Sequence, residues 1–456
     1  MPDLLKFKTY HLILISVLIV SCGGGGGGGI SNPAVQSRSL TLEAHRNDTF
    51  TSFTSVTLTA YLTENGIPLT GVFVNWTADQ GSLSNEKEVG GGYYSVDLKM
   101  QPLTPTTGET TVTTSYETLS QSIVVLGADY IDQSWDVPIS LSINTSGWED
   151  TPHISSDGQL LYFSYAGFDI NNLLGAIGST CTINTDCRYV KTGVDRPTSE
   201  GWHNFDVFRA ARLSENKWIV SNSSINNYTS SSSYPPAFGL FTGLSVESPG
   251  GYNHNASPFV TENYSTMLTM MMTDTGSYIF FSDYSSTGEW GEPQILPSQV
   301  NGSGDADEPH VIKGTGVDYL YFNAKNIGCG TIPAGTTHNL CFVNISSGFS
   351  NTSSTIFDNV NTSGWEELQP FVTSNRLTLY FASDQISATQ EILKSTRALV
   401  SDKFSTAQRF LSMQGFAGIG SPSFTSYSSE MFFVYVKSST PPYLDAQLAY
   451  IKKKSP

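Results

Sequence analysis

"GWEDTPHISSDGQLLYFS", residues 147–164, carries two carboxylates and a histidine, then an apolar run, an Asp-Gly turn and a second apolar run. Asp-Gly between two such runs is the signature of a tight turn joining antiparallel strands. The unit recurs as "ASPFVT" (256–261) with "SYIFFSD" (277–283), then as "DEPHVIKGTGVDYLYFNA" (307–324). "LQPFVTSNRLTLYFAS" (368–383) and "GSPSFTSYSSEMFFVYV" (420–436) follow, and the five prolines stand at 152, 258, 309, 370 and 422. Their intervals are 106, 51, 61 and 52 residues, the first swollen by inserts at 168–204 and 228–256.

Each unit has a companion that reads as an outer strand leading into the next unit. These are "NKWIVSNSSIN" (216–226), "GEWGEPQILPSQVN" (288–301), "GFSNTSSTIFDNVN" (348–361) and "DKFSTAQRFLSMQ" (402–414). A fifth, "QSWDVPISLSIN" (133–144), comes before the first proline, and the chain ends on "AQLAYIKKK" (446–454). A repeat of about 50 residues made of short strands buries its faces only against copies of itself, which predicts a β-propeller. The offset companions predict five blades over 129–456, the last closed by the N-terminal strand. The pattern "P-x-[IV]-[ST]…DG-x-x-LYF-x-S" resembles the WD-like propeller repeats of the periplasmic Tol-system protein and of many bacterial exported proteins. That resemblance implies a fold and no activity, because propellers host unrelated functions.

Ahead of the repeats, residues 39–128 show period-two alternation without helical periodicity. In "SVTLTAYLTENGIPLTGVFVNWTA" (55–78), Val56, Leu58, Ala60 and Leu62 share one face, an Asn-Gly turn intervenes, and Val72, Val74 and Trp76 share the next. "TENGIPLTGVFVNW" (63–76) and "GETTVTTSYE" (108–117) resemble the invasin-type bacterial immunoglobulin-like domains. The resemblance implies a β-sandwich serving as a spacer, with no catalytic residues of its own. The whole is therefore expected to be all-β, an immunoglobulin-like sandwich followed by the propeller.

The first 21 residues have a basic start at Lys6 and Lys8 and the apolar stretch "LILISVLIV", the layout of a signal peptide and too short to span a bilayer. Cys22 follows directly, then "GGGGGGG", a structureless tether over 22–38. The junction resembles the lipobox of bacterial lipoproteins, although Val20 departs from its commonest form. It implies lipidation of Cys22, and Gly23 after it implies outer-membrane sorting. Membrane contact is expected through the lipid alone, with the protein facing either the periplasm or the outside. Four cysteines remain, in two close pairs, Cys181 with Cys187 and Cys329 with Cys341, which suits disulfides in an oxidising compartment. Metal binding by these four is the competing reading, but neither spacing is a zinc knuckle.

The formal charge of the chain is −17, and removal of Lys6, Lys8 and Asp3 with the signal takes it to −18. Such a surface repels nucleic acid and tolerates cations or neutral sugars.

Glu149, Asp150, Asp305, Asp307, Glu308, Glu366 and Glu367 precede the repeat prolines, where strands enter a central channel. Converging oxygens there would suit a hard cation such as calcium, with "GDADEPH" (304–310) the densest cluster. The competing reading has these carboxylates accepting backbone N–H groups at strand starts. His153 and His310 follow their prolines where other repeats carry Phe259, Phe371 and Ser423, which favours packing over metal ligation. Trp148, Trp290 and Trp365 recur between repeats and are expected to wedge them together. The sequence contains no Gly-x-Ser-x-Gly elbow, His-Glu-x-x-His helix or phosphate loop. These observations favour a non-enzymatic envelope module that binds protein or glycan. The alternative is a glycoside hydrolase-like enzyme using the channel carboxylates, which would need two of them facing across a cleft.

Overall fold

The computed structural model describes residues 37–46, 55–100, 108–144, 148–166, 206–220, 254–273, 276–284, 294–302, 304–313, 317–325, 337–348, 354–356, 360–387, 389–413, 415–437 and 446–454. The signal segment, Cys22, Cys181, Cys187, Cys329, Trp202, Trp290 and most of both inserts lie outside these residues. Arg38–Pro456 form one compact unit. No helix among the described residues is long and apolar enough to cross a membrane.

The first part contains β1 (Arg38–Arg46), β2 (Ser55–Glu64), β3 (Ile67–Pro68), β4 (Asn75–Ala78), β5 (Ser82–Gly90), β6 (Tyr93–Lys99), β7 (Glu109–Tyr116) and β8 (Leu119–Leu126). One sheet runs β1-β2-β6-β5, with β3 on β2, and β4-β7-β8 form the other side. Val56, Leu58, Ala60 and Leu62 are fully buried and share a core with Val74, Trp76, Val112 and Ile123, so the alternating residues do face inward. Asn65 and Gly66 both have positive φ, 51° and 77°, as a two-residue hairpin turn demands.

After β9 (Tyr130–Ile131) and β10 (Ile139–Ser140) come the repeats. The first is β11 (Trp148–Ile154), β12 (Leu160–Ala166), β13 (Asp206–Ser214) and β14 (Lys217–Val220). The second is β15 (His254–Val260), β16 (Thr266–Thr273), β17 (Gly276–Asp283) and β18 (Gln294–Ile295), followed by one helical turn at Ser298–Asn301. The third is β19 (Ala306–Ile312), β20 (Tyr319–Ala324), β21 (Asn339–Asn344) and β22 (Ser354–Ile356). The fourth is β23 (Glu367–Val372), β24 (Thr378–Ser383), β25 (Glu391–Thr396) and β26 (Gln408–Ser412), and the fifth is β27 (Gly418–Phe424), β28 (Glu430–Val436) and β29 (Ala446–Lys452). Each of the first four is a four-stranded antiparallel meander in chain order, with β9 added outside β26. In the fifth, β10 supplies the fourth strand, pairing Ile139 with Tyr450 and Ser140 with Ala449. The companion segments thus take outer positions, and the proline-bearing strands are innermost. Those five strands neighbour one another in a closed cycle, β11 to β15, β19, β23, β27 and back to β11.

The sheet of the fifth repeat continues past β10 into β8, β7 and β4, so seven strands span what the sequence divides at 128/129. Asp136 cements the same joint by accepting the backbone N–H of Arg46 and contacting His45 Nδ1 at 3.0 Å. Cys341, on β21, is fully buried and disulfide-bonded. Trp148 is buried, as a wedge between repeats would be, whereas Trp365 is 43% exposed, more open than that expectation from its spacing.

Candidate functional site

Each innermost strand carries the same irregularity. The pairing register slips between Asp150 and His153, Ala256 and Phe259, Asp307 and His310, Leu368 and Phe371, and Gly420 and Ser423. At each slip the residue before the proline is left-handed: Thr151, Ser257, Glu308, Gln369 and Ser421 have φ between 47° and 57°. A bulge there is the solution for a proline in an inner strand, since proline has no N–H to give the ladder.

The bulges are tied to one another. The Ser257 N–H donates to Thr151 Oγ1 at 3.1 Å, and its hydroxyl to Asp307 Oδ1 at 3.3 Å. The Gln369 N–H donates to Asn323 Oδ1 at 3.1 Å, the Ser421 N–H to Gln369 Oε1 at 2.6 Å, and Ser421 Oγ to Asp150 Oδ1 at 3.5 Å. A polar belt therefore runs through all five repeats around a constriction of about 50 Å³ lined by the residues flanking the prolines.

Asp150, Asp307 and Glu308 belong to this belt. Asp150 accepts the Thr151 N–H at 2.6 Å and Trp148 Nε1–H at 3.2 Å, and Asp307 accepts the Glu308 N–H at 2.9 Å. Burial is the main force on all three, pushing Asp150 up, Asp307 up to about 7 and Glu308 well above its usual range. Mutual repulsion adds to this, with Asp150 and Asp305 acting on Asp307. One Glu308 carboxylate oxygen is buried with no hydrogen-bond partner, the state of a carboxyl kept neutral by its surroundings. Asp305 stands just upstream in a positive-φ position.

The other acidic candidates fall elsewhere. Glu149 and Glu367 occupy equivalent positions one residue before the Asp150 level, and both are fully buried. Glu367 accepts from the Thr362 N–H at 3.1 Å and is pushed up to about 8, chiefly by burial. Glu366 accepts the His338 N–H and contacts His338 Nδ1, both at 2.8 Å. Among the described residues no three His, Cys, Asp or Glu side chains are grouped to hold a metal ion, and Asp150, Asp307, Glu366 and Glu367 accept backbone N–H groups.

Below the constriction lies an aromatic ring. His153 and Phe259 are 4.4 Å apart between centroids, Phe259 and His310 5.0 Å, His310 and Phe371 4.4 Å, and Phe371 and Phe424 4.9 Å. Ser423 holds the fifth equivalent position, where its Oγ accepts the Ile154 N–H at 3.0 Å, and Phe424 takes the aromatic place beside Phe371. His153 Nε2 bonds the Val260 carbonyl and His310 Nε2 the Val372 carbonyl, each 2.9 Å away in the next repeat. A carbonyl only accepts, so Nε2 carries the hydrogen and Nδ1 remains an acceptor. Burial lowers His153 to about 4 and His310 to about 3, so both rings are neutral at physiological pH.

Beyond the ring the channel widens into a cup of about 260 Å³ to which all five repeats contribute. Its floor is His153, Phe259, His310, Phe371 and Phe424, and its rim is built from the turns after each inner strand. Three of these turns share one device, a hydroxyl donating to an Asp or Asn oxygen two residues on: Ser155 Oγ to Asp157 at 2.6 Å, Thr261 Oγ1 to Asn263 at 2.9 Å and Thr373 Oγ1 to Asn375 at 2.7 Å. The Asp-Gly of the opening stretch is thus a structural turn at the cup's rim. Sequence reading placed the site at the other mouth. The signal it passed over is the Ser/Thr two residues before Asp/Asn that recurs in three repeats, at Ser155, Thr261 and Thr373, and marks turns converging on one opening.

No family model and no curated protein matches the chain. Among solved structures, it is similar to the catalytic domain of a GH62 α-L-arabinofuranosidase of Coprinopsis cinerea, with 8% identity, 67% of this chain and 91% of that one covered, and a TM-score of 0.39. TolB from Acinetobacter baumannii gives 9% identity over 91% and 80% of the two chains with a TM-score of 0.34. A family 117 glycoside hydrolase of Zobellia galactanivorans gives 11% over 67% and 84%, with a TM-score of 0.37.

Proposed function

We propose that this chain is a cell-envelope lipoprotein in which an immunoglobulin-like spacer carries a five-bladed β-propeller closed by its N-terminal strand, acting as a non-enzymatic recognition module. The ligand is a neutral glycan residue seated in the cup. The supporting observation is the cup itself: an aromatic floor for the apolar face of a sugar, two neutral imidazoles with an acceptor nitrogen each, and a hydroxyl-rich rim. The volume suits one ring, so a chain end or branch tip fits better than the middle of a polymer. Acylation of Cys22 and a Cys181–Cys187 and Cys329–Cys341 disulfide set belong to the same reading.

Thermal melting of the purified protein with and without a panel of neutral oligosaccharides tests it. Binding raises the midpoint with ligand concentration, and replacing Phe259 and Phe371 by Ala abolishes that rise. A flat response across the panel refutes the cup as a glycan site.

The second reading is a glycoside hydrolase-like enzyme, favoured by one observation: Asp307, pushed up to about 7, lies beside Asp150 and has the protonation behaviour of a general acid. Hydrolysis lost in an Asp150→Asn/Asp307→Asn/Glu308→Gln variant with an unchanged fold would establish it. Binding that survives in that variant, with no hydrolysis in the parent, leaves the recognition reading standing.

A further inference from the structure

We propose that the sandwich end remote from the repeats docks on a zwitterionic lipid bilayer, a contact beyond the acyl anchor; the inference rests on the lipoprotein reading of Cys22. The strand register defines this end. Arg38 pairs with Glu64, Tyr61 with Tyr93, Gly90 with Tyr93 and Tyr116 with Leu119 at one extremity, while Arg46 with Val56 and Glu109 with Leu126 mark the other, which is joined to Asp136 and Pro138.

At the remote end four large apolar side chains face water: Ile67 is 69% exposed, Phe73 77%, Val89 61% and Tyr93 45%. They sit on neighbouring turns held side by side. The Gly71 N–H donates to Glu88 Oε2 at 3.0 Å, the Tyr94 hydroxyl donates to the Leu69 carbonyl at 3.0 Å, and Pro68 packs against Gly92 so closely that a Cβ there would lie 3.0 Å from it. Neighbouring exposed apolar residues mark a surface that meets something apolar.

The chain itself says what. Fifteen residues, Gly23–Ser37, separate Cys22 from β1, and β1 begins at this end. Fully extended they span at most about 50 Å, so the end bearing the patch is the one tethered to the membrane. Aromatic and branched side chains partition into the interface between head groups and acyl chains. Charge selects the lipid: Arg38 is paired with Glu64 and Glu117, and Glu86 and Glu88 leave no cationic surplus, so anionic head groups gain nothing here.

Two measurements on the full chain test this and keep it separate from the anchor reading. Metabolic labelling with radioactive palmitate marks the wild-type chain and not Cys22→Ser if the anchor exists. The labelled protein is then placed in phosphatidylethanolamine–phosphatidylcholine vesicles and its amide hydrogen exchange compared with that of Ile67→Ser/Phe73→Ser/Val89→Ser/Tyr93→Ser. The substituted side chains are exposed, and unchanged exchange at 55–62 of β2 and 95–99 of β6 verifies the fold. Docking slows exchange at 64–73 and 88–94 several-fold in the wild type relative to the variant and leaves 425–429, at the cup's rim, the same in both. Equal exchange at the tip in labelled protein overturns the docking and spares the anchor. No label in the wild type overturns both.

Discussion

His310, expected from its place in the repeat to pack rather than to ligate a metal, is enclosed by aromatic rings at the cup's floor. Its ring is buried between Phe259 and Phe371, and its one donor is spent on the Val372 carbonyl. A base whose folded value is lowered, from 6.5 to about 3, lends stability that is complete above pH 6.5 and is lost as pH falls toward 3, because only the unfolded chain takes up the proton in that window. His153, lowered to about 4, acts in the same sense. Asp307 acts in the opposite sense: raised to about 7, it lends stability that is full below about pH 3.8 and is lost as pH rises through 7. Asp307→Asn keeps the acceptor for Ser257 and removes the ionisation. The variant should therefore melt above the wild type at pH 8.5, by on the order of 2 kcal/mol, and the gap should shrink at pH 5. An equal gap at both values would show that the Asp307 carboxyl is not kept neutral by burial. His310→Phe should flatten the loss between pH 6.5 and 4 while costing about 1 to 2 kcal/mol at pH 7.5, since it leaves the Val372 carbonyl unsatisfied.

Between elements, the ring must be closed by contacts with no local sequence signal. Arg212 on β13 of the first repeat forks both oxygens of Glu430 on β28 of the fifth, each at 2.8 Å, and stacks 5.1 Å from the centroid of Trp218. Both side chains are largely buried, so removing one partner strands the other. Arg212→Met should lower stability by about 3 kcal/mol, and Arg212→Met/Glu430→Leu should regain much of it; a double variant as unstable as the single one would show that the pair is not the closing contact. The repeat spacing made the strands legible, because period-two alternation and an Asp-Gly turn are properties of adjacent residues. The N-terminal companion was legible too, by counting units against companions. The belt through Ser257, Gln369 and Ser421 was not, since these residues differ in chemistry and share only a left-handed backbone before proline. Nor was Phe424, which enters the aromatic ring one position out of phase with its counterparts.

At the scale of the whole molecule, the expected division at 128/129 meets a continuous structure. β10 pairs with β8 on one edge and β29 on the other, and Ile139 is opposite both Val125 and Tyr450. Tyr435 of the last repeat donates to Glu109 Oε1 at 2.7 Å, and the Phe416 ring packs on Gly108, where a Cβ would stand 2.6 Å from it. Buried residues from the sandwich and from the first, second, fourth and fifth repeats belong to one hydrophobic cluster. β10 is the fourth strand of the fifth repeat and also the neighbour of β8, so loss of the sandwich leaves its outer edge unpaired. Calorimetry on the intact protein should accordingly give one cooperative transition spanning sandwich and repeats, and Gly108→Phe, which forces the joint apart, should lower that transition as a whole. Two separate transitions in the wild type, with only one of them displaced by Gly108→Phe, would mean that the sandwich is an independent spacer and that the seven-stranded sheet contributes no coupling. A single displaced transition would mean that force or strain at the sandwich reaches the cup through β10, since the strand that links them also completes the repeat whose Phe424 lines the cup's floor.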